Sequence, residues 1–181
     1  GGTKAGVVDP AENGAGIFKL LSEKDFTVEA ILLTHGHFDH IMAAKKVKEY
    51  YQIPVYAGIH EEELLADAEK NLSAMWAEGF TMKADELVVD NQKIEIAGMK
   101  ITVIETPGHT LGGVCYYIEK EHVLFAGDTL FFESYGRTDF PGGSMFSLIR
   151  SLGKKLFVLP DETDVYPGHG QATSIGYEKT H

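Results

Sequence analysis

Short apolar runs alternate with amphipathic segments along most of the chain, and this alternation predicts an α/β fold. The run from Val28 to Thr34 is mostly apolar, which is typical of a buried strand. The segment before it repeats Ile17, Leu20 and Leu21 at helical spacing. Because the same order of elements recurs further along, we expect sheets that carry helices on their outer faces.

The remaining predicted elements continue this pattern up to the last strand. Strands are predicted near residues 7–10, 28–34, 53–57, 87–89, 93–96, 100–105, 114–118, 122–126 and 164–166, and helices at residues 13–24, 39–51, 60–78 (one or two) and 144–156. The strands at 114–118 and 122–126 should form a hairpin. We expect one domain over residues 1–181, in which a first strand and a terminal helix could be missing.

Composition narrows the classes of partner. The formal net charge is -11 and the sequence pI is about 5.1, so nucleic acid and anionic membranes would be repelled by most of the surface. The one cysteine, Cys115, cannot form an internal disulfide, and we expect it to be a buried thiol in a strand. Without a continuous apolar run of roughly 18 residues, a membrane span is not expected. These features predict a cytoplasmic protein whose oligomeric state stays open.

Candidate metal ligands are densest in residues 34–40, which read Thr-His-Gly-His-Phe-Asp-His. His35 and His37 are two residues apart in a predicted extended turn, so both imidazoles can reach a common ion. Asp39 and His40 face another direction at the start of the next predicted helix. There the helix dipole disfavours an imidazolium, which should keep His40 neutral. This division predicts two ions rather than one.

Three further donors share one sequence setting, in which an apolar strand is followed by a Gly or Pro break and then the donor. They are His109, Asp128 and His169. We expect the strand ends to converge on one rim, where loops on a rigid scaffold present reactive groups. Nitrogen and carboxylate donors without thiolate suit zinc, although iron or manganese would also accept them. Two divalent ions would outweigh the two carboxylates and a hydroxide, leaving a cationic centre that favours an anionic intermediate.

These segments resemble the successive motifs of the metallo-β-lactamase-fold hydrolases, within them the glyoxalase II-like (hydroxyacylglutathione hydrolase-like) branch. The matching stretches are residues 34–40, 106–110, 127–131 and 166–170, in the family's order and spacing. The resemblance covers nearly the whole chain and implies an α/β fold of the αββα four-layer sandwich type. It implies that one metal is bound by His35, His37 and His109, a second by Asp39, His40 and His169, and that Asp128 bridges them.

The function implied by this resemblance is metal-dependent hydrolysis of a small-molecule thioester, such as a glutathione-linked hydroxyacyl thioester. Two divalent ions, Zn²⁺ first among the candidates, would hold a bridging hydroxide that attacks the carbonyl. Asp39 and Asp128 are the residues we assign to catalysis. For substrate binding we assign Arg137, which could hold a carboxylate, and Tyr135 and Phe140, which could form a wall of the acyl pocket.

Two alternatives stay open. Residues 136–140, Gly-Arg-Thr-Asp-Phe, also resemble the corresponding stretch of the persulfide dioxygenases, which use one iron and molecular oxygen. In that reading the iron is held by His35, His109 and Asp128 as a facial triad. The second alternative is a protein that binds metal without turnover.

An apolar cluster between the predicted helical region and the next strand has two interpretations. It contains Met75, Trp76, Phe80 and Met82. Core packing is the favoured interpretation. A lid over the substrate is the other.

Overall fold

A parallel four-stranded sheet forms the first half of the protein. The computed structural model describes residues 3–11, 14–76 and 78–181. Along the sheet the strands follow their order in the chain, and they are β1 (Lys4–Val8), β2 (Thr27–Leu32), β3 (Val55–Gly58) and β4 (Glu86–Val88). Parallel neighbours require crossover connections, and each of the three connections contains one or two helices.

A mostly antiparallel six-stranded sheet forms the second half. In chain order its strands are β5 (Lys93–Ile96), β6 (Met99–Glu105), β7 (Val114–Ile118), β8 (Val123–Gly127), β11 (Asp164–Pro167) and β12 (Thr173–Ser174). Across the sheet the order is β12-β11-β8-β7-β6-β5, and only the β8–β11 pair is parallel. A separate small hairpin pairs β9 (Leu130–Phe131) with β10 (Ser134–Tyr135). The hairpin predicted between β7 and β8 is present.

The helices are short. They are α1 (Gly14–Glu23), α2 (Phe38–Ile41), α3 (Ala44–Tyr51), a 3₁₀ turn (Ile59–Glu61), α4 (Glu62–Leu65), α5 (Ser73–Trp76), α6 (Met145–Ser151) continued by a π turn (Leu152–Leu156), and α7 (Ile175–Glu178). Ser144 caps α6, because its hydroxyl accepts a hydrogen bond from the amide of Ser147 at 3.2 Å. Among the residues described, none of the helices combines the length and the apolar character that a bilayer crossing demands.

Three apolar cores separate four layers. One core lies between the helices of the first half and the outer face of the parallel sheet, where Ile31 packs with Val47. A second lies between the sheets, where Leu32 of β2 faces the same core as Tyr116 of β7. In the third, Leu124 packs with Leu148 and other residues of the last helices. Each fully buried Leu or Ile contributes about 1.5–3 kcal/mol relative to an exposed one. The layers give the αββα sandwich that the sequence motifs predicted.

Some predicted element boundaries are wrong. The single helix expected over residues 39–51 is two helices, because the amide of Ala43 donates to the carbonyl of Pro10 at 3.0 Å and the helical hydrogen-bond series stops there. Where one or two helices were expected over residues 60–78, the described residues form a 3₁₀ turn (Ile59–Glu61) and two helices of four residues each, α4 and α5. The predicted first residue of α1, Asn13, lies outside the described residues.

Candidate metal centre

All seven predicted donors lie just after strand ends on one rim of the sandwich, in loops or in the single-turn helix α2. The loop after β2 carries His35 and His37, and Asp39 and His40 follow in α2. The loops after β6, β8 and β11 bring the other three donors, which are His109, Asp128 and His169. The convergence follows from topology, because these four strands all end at the same edge of their sheets.

The first cluster contains His35, His37 and His109, which each offer a ligand atom within 4.8 Å of the others. All three side chains are buried. The ring nitrogens His37 Nδ1 and His109 Nε2 face each other at 3.1 Å. This is the triad that the sequence resemblance assigned to one metal.

The second cluster contains Asp39, His40 and His169. His169 Nε2 lies 3.1 Å from Asp39 Oδ2 and 3.3 Å from His40 Nε2. His169 is more than half exposed, whereas His40 is buried. The second cluster is therefore the one nearer to solvent.

Asp128 lies between the two clusters. Its Oδ2 is 3.4 Å from His109 Nε2 and 3.8 Å from His35 Nε2 in the first cluster. Its Oδ1 is 3.2 Å from His40 Nε2 in the second, and Oδ2 is 3.5 Å from His169 Nε2. One carboxylate thus faces donors of both clusters, which is the arrangement that a bridging ligand requires.

Asp9 is a residue of this site that the sequence analysis missed. Its carboxylate accepts hydrogen bonds from the Thr34 amide at 2.7 Å, from the Thr34 hydroxyl at 2.5 Å and from His40 Nδ1 at 2.9 Å. The Thr34 hydroxyl in turn lies 3.1 Å from His35 Nδ1. Asp9 therefore orients one imidazole of each cluster. The signal was available, because Asp9 follows β1 directly and precedes Pro10, as the other donors follow their strands.

His109 is oriented by the backbone. Its Nδ1 donates to the carbonyl of Arg137 at 2.7 Å, which fixes the ring and leaves Nε2 directed at Asp128 and His37. Arg137 therefore touches the site through its backbone oxygen, a role that the identity of its side chain does not reveal.

Two donors of the first cluster, His35 and His37, are electrically neutral imidazoles. Burial, followed by the neighbouring histidines, lowers the pKa of His35 well below its ordinary value. Burial and then His109 lower the pKa of His37 to about 3. A neutral imidazole keeps the lone pair that a metal ion binds.

The pKa of His40 differs from the prediction of a neutral imidazole. Burial lowers its pKa, but hydrogen bonds to Asp128 and Asp9 outweigh that effect and raise the pKa to about 10 in the metal-free protein. The expected effect of the helix dipole is small here, because α2 is a single turn of four residues. Burial raises the pKa of Asp128, but its contact with His40 dominates and lowers it.

The donor set fits divalent cations. His35 Nε2 is buried and has no hydrogen-bond partner among the described residues, although it faces the Asp128 carboxylate. A buried imidazole nitrogen left without a partner is unfavourable, and a cation between it and the carboxylate would satisfy both. The nitrogen and oxygen donors accept zinc, iron or manganese alike.

A cavity of about 420 Å³ opens onto both clusters. Five of the donors line this cavity. The rest of its wall is mainly apolar and includes Phe38, Leu72, Trp76, Phe131, Tyr135 and Phe140. Tyr135, Phe140 and Arg137, which were assigned to substrate binding, all line it. A wider cleft of about 590 Å³, lined partly by Lys45 and Lys83, shares none of these residues.

The Arg137 side chain is already engaged. Its guanidinium donates to both carboxylate oxygens of Asp139 at 2.6 Å and lies 4.1 Å from the ring centroid of Phe140. The guanidinium lowers the pKa of Asp139 to about 2. An anionic substrate would therefore compete with Asp139 for this cation.

The four residues of the apolar cluster, Met75, Trp76, Phe80 and Met82, do not all fit one interpretation. Phe80 and Met82 pack against the first core, as expected. Met75 and Trp76 are about two thirds exposed, so core packing is wrong for them. Trp76 lines the cavity and Met75 does not.

Curated relatives cover almost the whole chain. A probable metallo-hydrolase, YqgX of Bacillus subtilis, is 40% identical over 171 residues, which are 93% of this chain and 81% of the relative. Hydroxyacylglutathione hydrolase GloC of Haemophilus influenzae is 32% identical over 181 residues, covering 97% and 84%.

Solved structures with the same fold also cover almost the whole chain. The B3 metallo-β-lactamase BLEG-1 superposes with a TM-score of 0.95 at 40% identity and covers 99% of this chain and 87% of that one. ETHE1 from Myxococcus xanthus has a TM-score of 0.82 at 32% identity, covering 99% and 72%. TTHA1623 in a di-iron-bound form has a TM-score of 0.83 at 32% identity, covering 95% and 85%.

The model of one protein family matches most of the chain. It matches residues 1–169, which include every donor of the two clusters, and its description is the metallo-β-lactamase superfamily. The motif order, the αββα layers and the convergence of the donors agree with that match. The chain therefore belongs to the metallo-β-lactamase superfamily and is similar to its metallo-hydrolases.

Proposed function

We propose that this protein is a dinuclear metal-dependent thioesterase. The observation that carries the proposal is the position of Asp128, whose carboxylate lies within 3.8 Å of histidine nitrogens from both clusters. A centre for one metal would need only one of these clusters. The similarity to hydroxyacylglutathione hydrolase GloC supports a thioester as the bond that is cleaved.

When bound, two divalent cations would lower the pKa of a water held between them and polarise the substrate carbonyl. His35, His37 and His109 would hold one cation, and Asp39, His40 and His169 the other, with Asp128 shared. Asp9 keeps His40 Nε2 directed at the centre by accepting from Nδ1. The thiolate that leaves is stable enough to depart without a strong general acid, so none is assigned.

The substrate would enter the cavity of about 420 Å³. Its aromatic and aliphatic walls suit a compact acyl group with little charge. Tyr135 and Phe140 would contact that group, together with Trp76, which the sequence had placed in the core or a lid. Arg137 would bind a substrate carboxylate only if that carboxylate replaced Asp139 on the guanidinium.

A thioester panel tests the proposal. Purified protein is assayed with neutral aliphatic, aromatic and glutathione thioesters, before and after removal of metal by a chelator. We expect hydrolysis that disappears with the metal and returns when Zn²⁺, Fe²⁺ or Mn²⁺ is added back. Turnover that survives complete metal removal would contradict the proposal.

The alternative is a mononuclear-iron persulfide dioxygenase. It is favoured by the similarity to ETHE1 from Myxococcus xanthus and by the 136–140 segment. The triad it needs is present, because Asp128 Oδ2 lies 3.4 Å from His109 Nε2 and 3.8 Å from His35 Nε2. Oxygen uptake with glutathione persulfide, together with one iron per chain, would establish this activity in place of thioester hydrolysis.

A further inference from the structure

Glu61 is a buried carboxyl group beneath the candidate centre that the proposed function leaves without a role. It ends the 3₁₀ turn after β3 and is 1% exposed. Burying a carboxyl group is unfavourable unless the group makes compensating hydrogen bonds. Its contacts therefore indicate what the side chain does.

One oxygen of Glu61 joins the two loops that carry the first cluster. Oε2 accepts a hydrogen bond from the Gly36 amide at 3.0 Å and another from the Thr110 hydroxyl at 2.8 Å. Gly36 is the residue between His35 and His37, and Thr110 directly follows His109. A single oxygen atom thus joins the residue between His35 and His37 to the residue that follows His109.

The two loops pack tightly against the elements around this contact. A Cβ atom on Gly112 would lie 2.2 Å from the amide nitrogen of Glu61, and one on Gly36 would lie 2.8 Å from the side chains of Leu64 and Leu65. The 3₁₀ turn, α4 and the two loops are therefore in direct contact. Because close-packed groups transmit a displacement, a change in the Glu61 hydrogen bonds should shift the positions of the donors.

We propose that Glu61 is a positioning residue that holds the His35, His37 and His109 loops in the geometry of one metal site. The proposal rests on the proposed metal centre but not on the bond that is cleaved there. Among the described residues, Glu61 forms no hydrogen bond or ion pair with Asp39, His40 or His169. The effect of losing the carboxyl group should therefore be selective for the first cluster.

The chain offers a matched control for a buried glutamate. Glu178 is 8% exposed and accepts from a backbone amide, that of Glu133, and from a threonine hydroxyl, that of Thr173. It resembles Glu61 in chemistry and contacts neither donor cluster among the described residues. A general loss of stability on removing a buried glutamate should affect both variants, whereas a loss of metal affinity should affect only Glu61→Ala.

The test measures Zn²⁺ affinity by competition with a chromophoric chelator, in a His169→Ala background that leaves the first cluster intact. We expect Glu61→Ala and Thr110→Val to raise the Kd of this site by about 10- to 100-fold, the usual effect of removing a residue that orients a ligand. Glu61→Gln, Thr110→Ser and Glu178→Ala should stay within about threefold, since the first two keep the acceptor and the hydroxyl.

The outcomes separate the two proposals. Unchanged Kd values for Glu61→Ala and Thr110→Val, with folding verified by circular dichroism, would overturn the positioning role. If Glu61→Ala does not fold, Thr110→Val decides alone, because it removes one hydroxyl and keeps the side-chain shape. A wild-type protein that binds zinc but cleaves no thioester would remove the proposed function, while the Kd measurements would still decide the role of Glu61.

Discussion

At the scale of single residues, the candidate centre depends on how neighbouring groups fix each imidazole. Asp9 accepts from His40 Nδ1, and the Arg137 carbonyl accepts from His109 Nδ1. In both cases the bond to one ring nitrogen directs the other toward Asp128. The motif gives the residue types, but these partners determine which nitrogen is available to a metal.

The carboxyl group of Glu61 makes the stability of the metal-free protein depend on pH. Burial raises its pKa from an ordinary 4.5 to about 7, against the opposing hydrogen bonds from Thr110 and Gly36. The folded protein then holds a proton that the unfolded chain releases, so this contribution is complete below pH 4.5 and is lost as pH rises through 7.

Glu61→Gln removes this titration while keeping the acceptor. We expect the free energy of unfolding of the variant, relative to wild type, to increase by roughly 3 kcal/mol between pH 4 and pH 8.5. Urea unfolding of both proteins in excess chelator at the two pH values measures the difference. A difference that is independent of pH would show that Glu61 titrates normally.

Arg137 and Asp139 should control the response to substrate charge. Because Asp139 neutralises the guanidinium, Arg137→Ala should change kcat/KM for neutral and anionic thioesters by similar factors. Asp139→Asn should free the guanidinium and lower KM for anionic thioesters by about threefold to tenfold, the effect of one exposed charge-assisted contact. Steady-state kinetics on a matched pair of neutral and carboxylated thioesters measures this.

The opposite kinetic result would support the direct assignment of Arg137 to substrate binding. If Arg137→Ala alone raises KM for the anionic substrate selectively, the cation already binds substrate despite its partner, as the sequence analysis expected.

At the scale of elements, strand ends place the donors and glycines allow the loops to approach one another. Gly168 precedes His169 in the turn after β11. A Cβ atom there would lie 2.3 Å from Asp128 Oδ1 and 2.5 Å from His40 Cε1. The backbone of this turn therefore approaches the centre as closely as the side chains allow.

Gly168→Ala should displace the second cluster. We expect a loss of about 1–3 kcal/mol from overpacking and the loss of one bound metal ion per chain. Gly153→Ala is the matched control, because a Cβ atom on Gly153 meets nothing within 4 Å, and it should retain both stability and metal content. Thermal unfolding and elemental analysis of both variants provide the comparison. A Gly168→Ala protein with full metal content would contradict the close approach.

At the scale of the whole molecule, the sequence predicted the fold well and the site in part. Strands β5 and β7 were predicted at their observed bounds, because β5 alternates polar and apolar residues and β7 is a continuous apolar run, which are the two patterns typical of strands. The motif residues come together as expected. Helix ends were less predictable, since the break after Ile41 depends on a hydrogen bond to Pro10, which is distant in sequence.

Other features required three-dimensional information. Glu61 looks like an ordinary helix-start residue in the sequence, and only its contacts link it to the donor loops. Asp9 shares the strand-end setting of the donors, but its hydrogen bonds to Thr34 and His40 are visible only in the structure. The exposure of Trp76 could not be read from its apolar neighbours, because Phe80 and Met82 pack inward from the same segment. The two-residue strands β9, β10 and β12 are too short to leave a periodic signal.

The most direct test is the number of metal ions required for thioester hydrolysis. The metal-free protein is titrated with Zn²⁺ while bound metal and hydrolysis are measured in the same samples. We expect activity to increase until two equivalents per chain are bound, and Asp128→Ala to abolish activity and lower the affinity for both ions. Full activity at one equivalent, with no further change at two, would contradict a shared dinuclear centre.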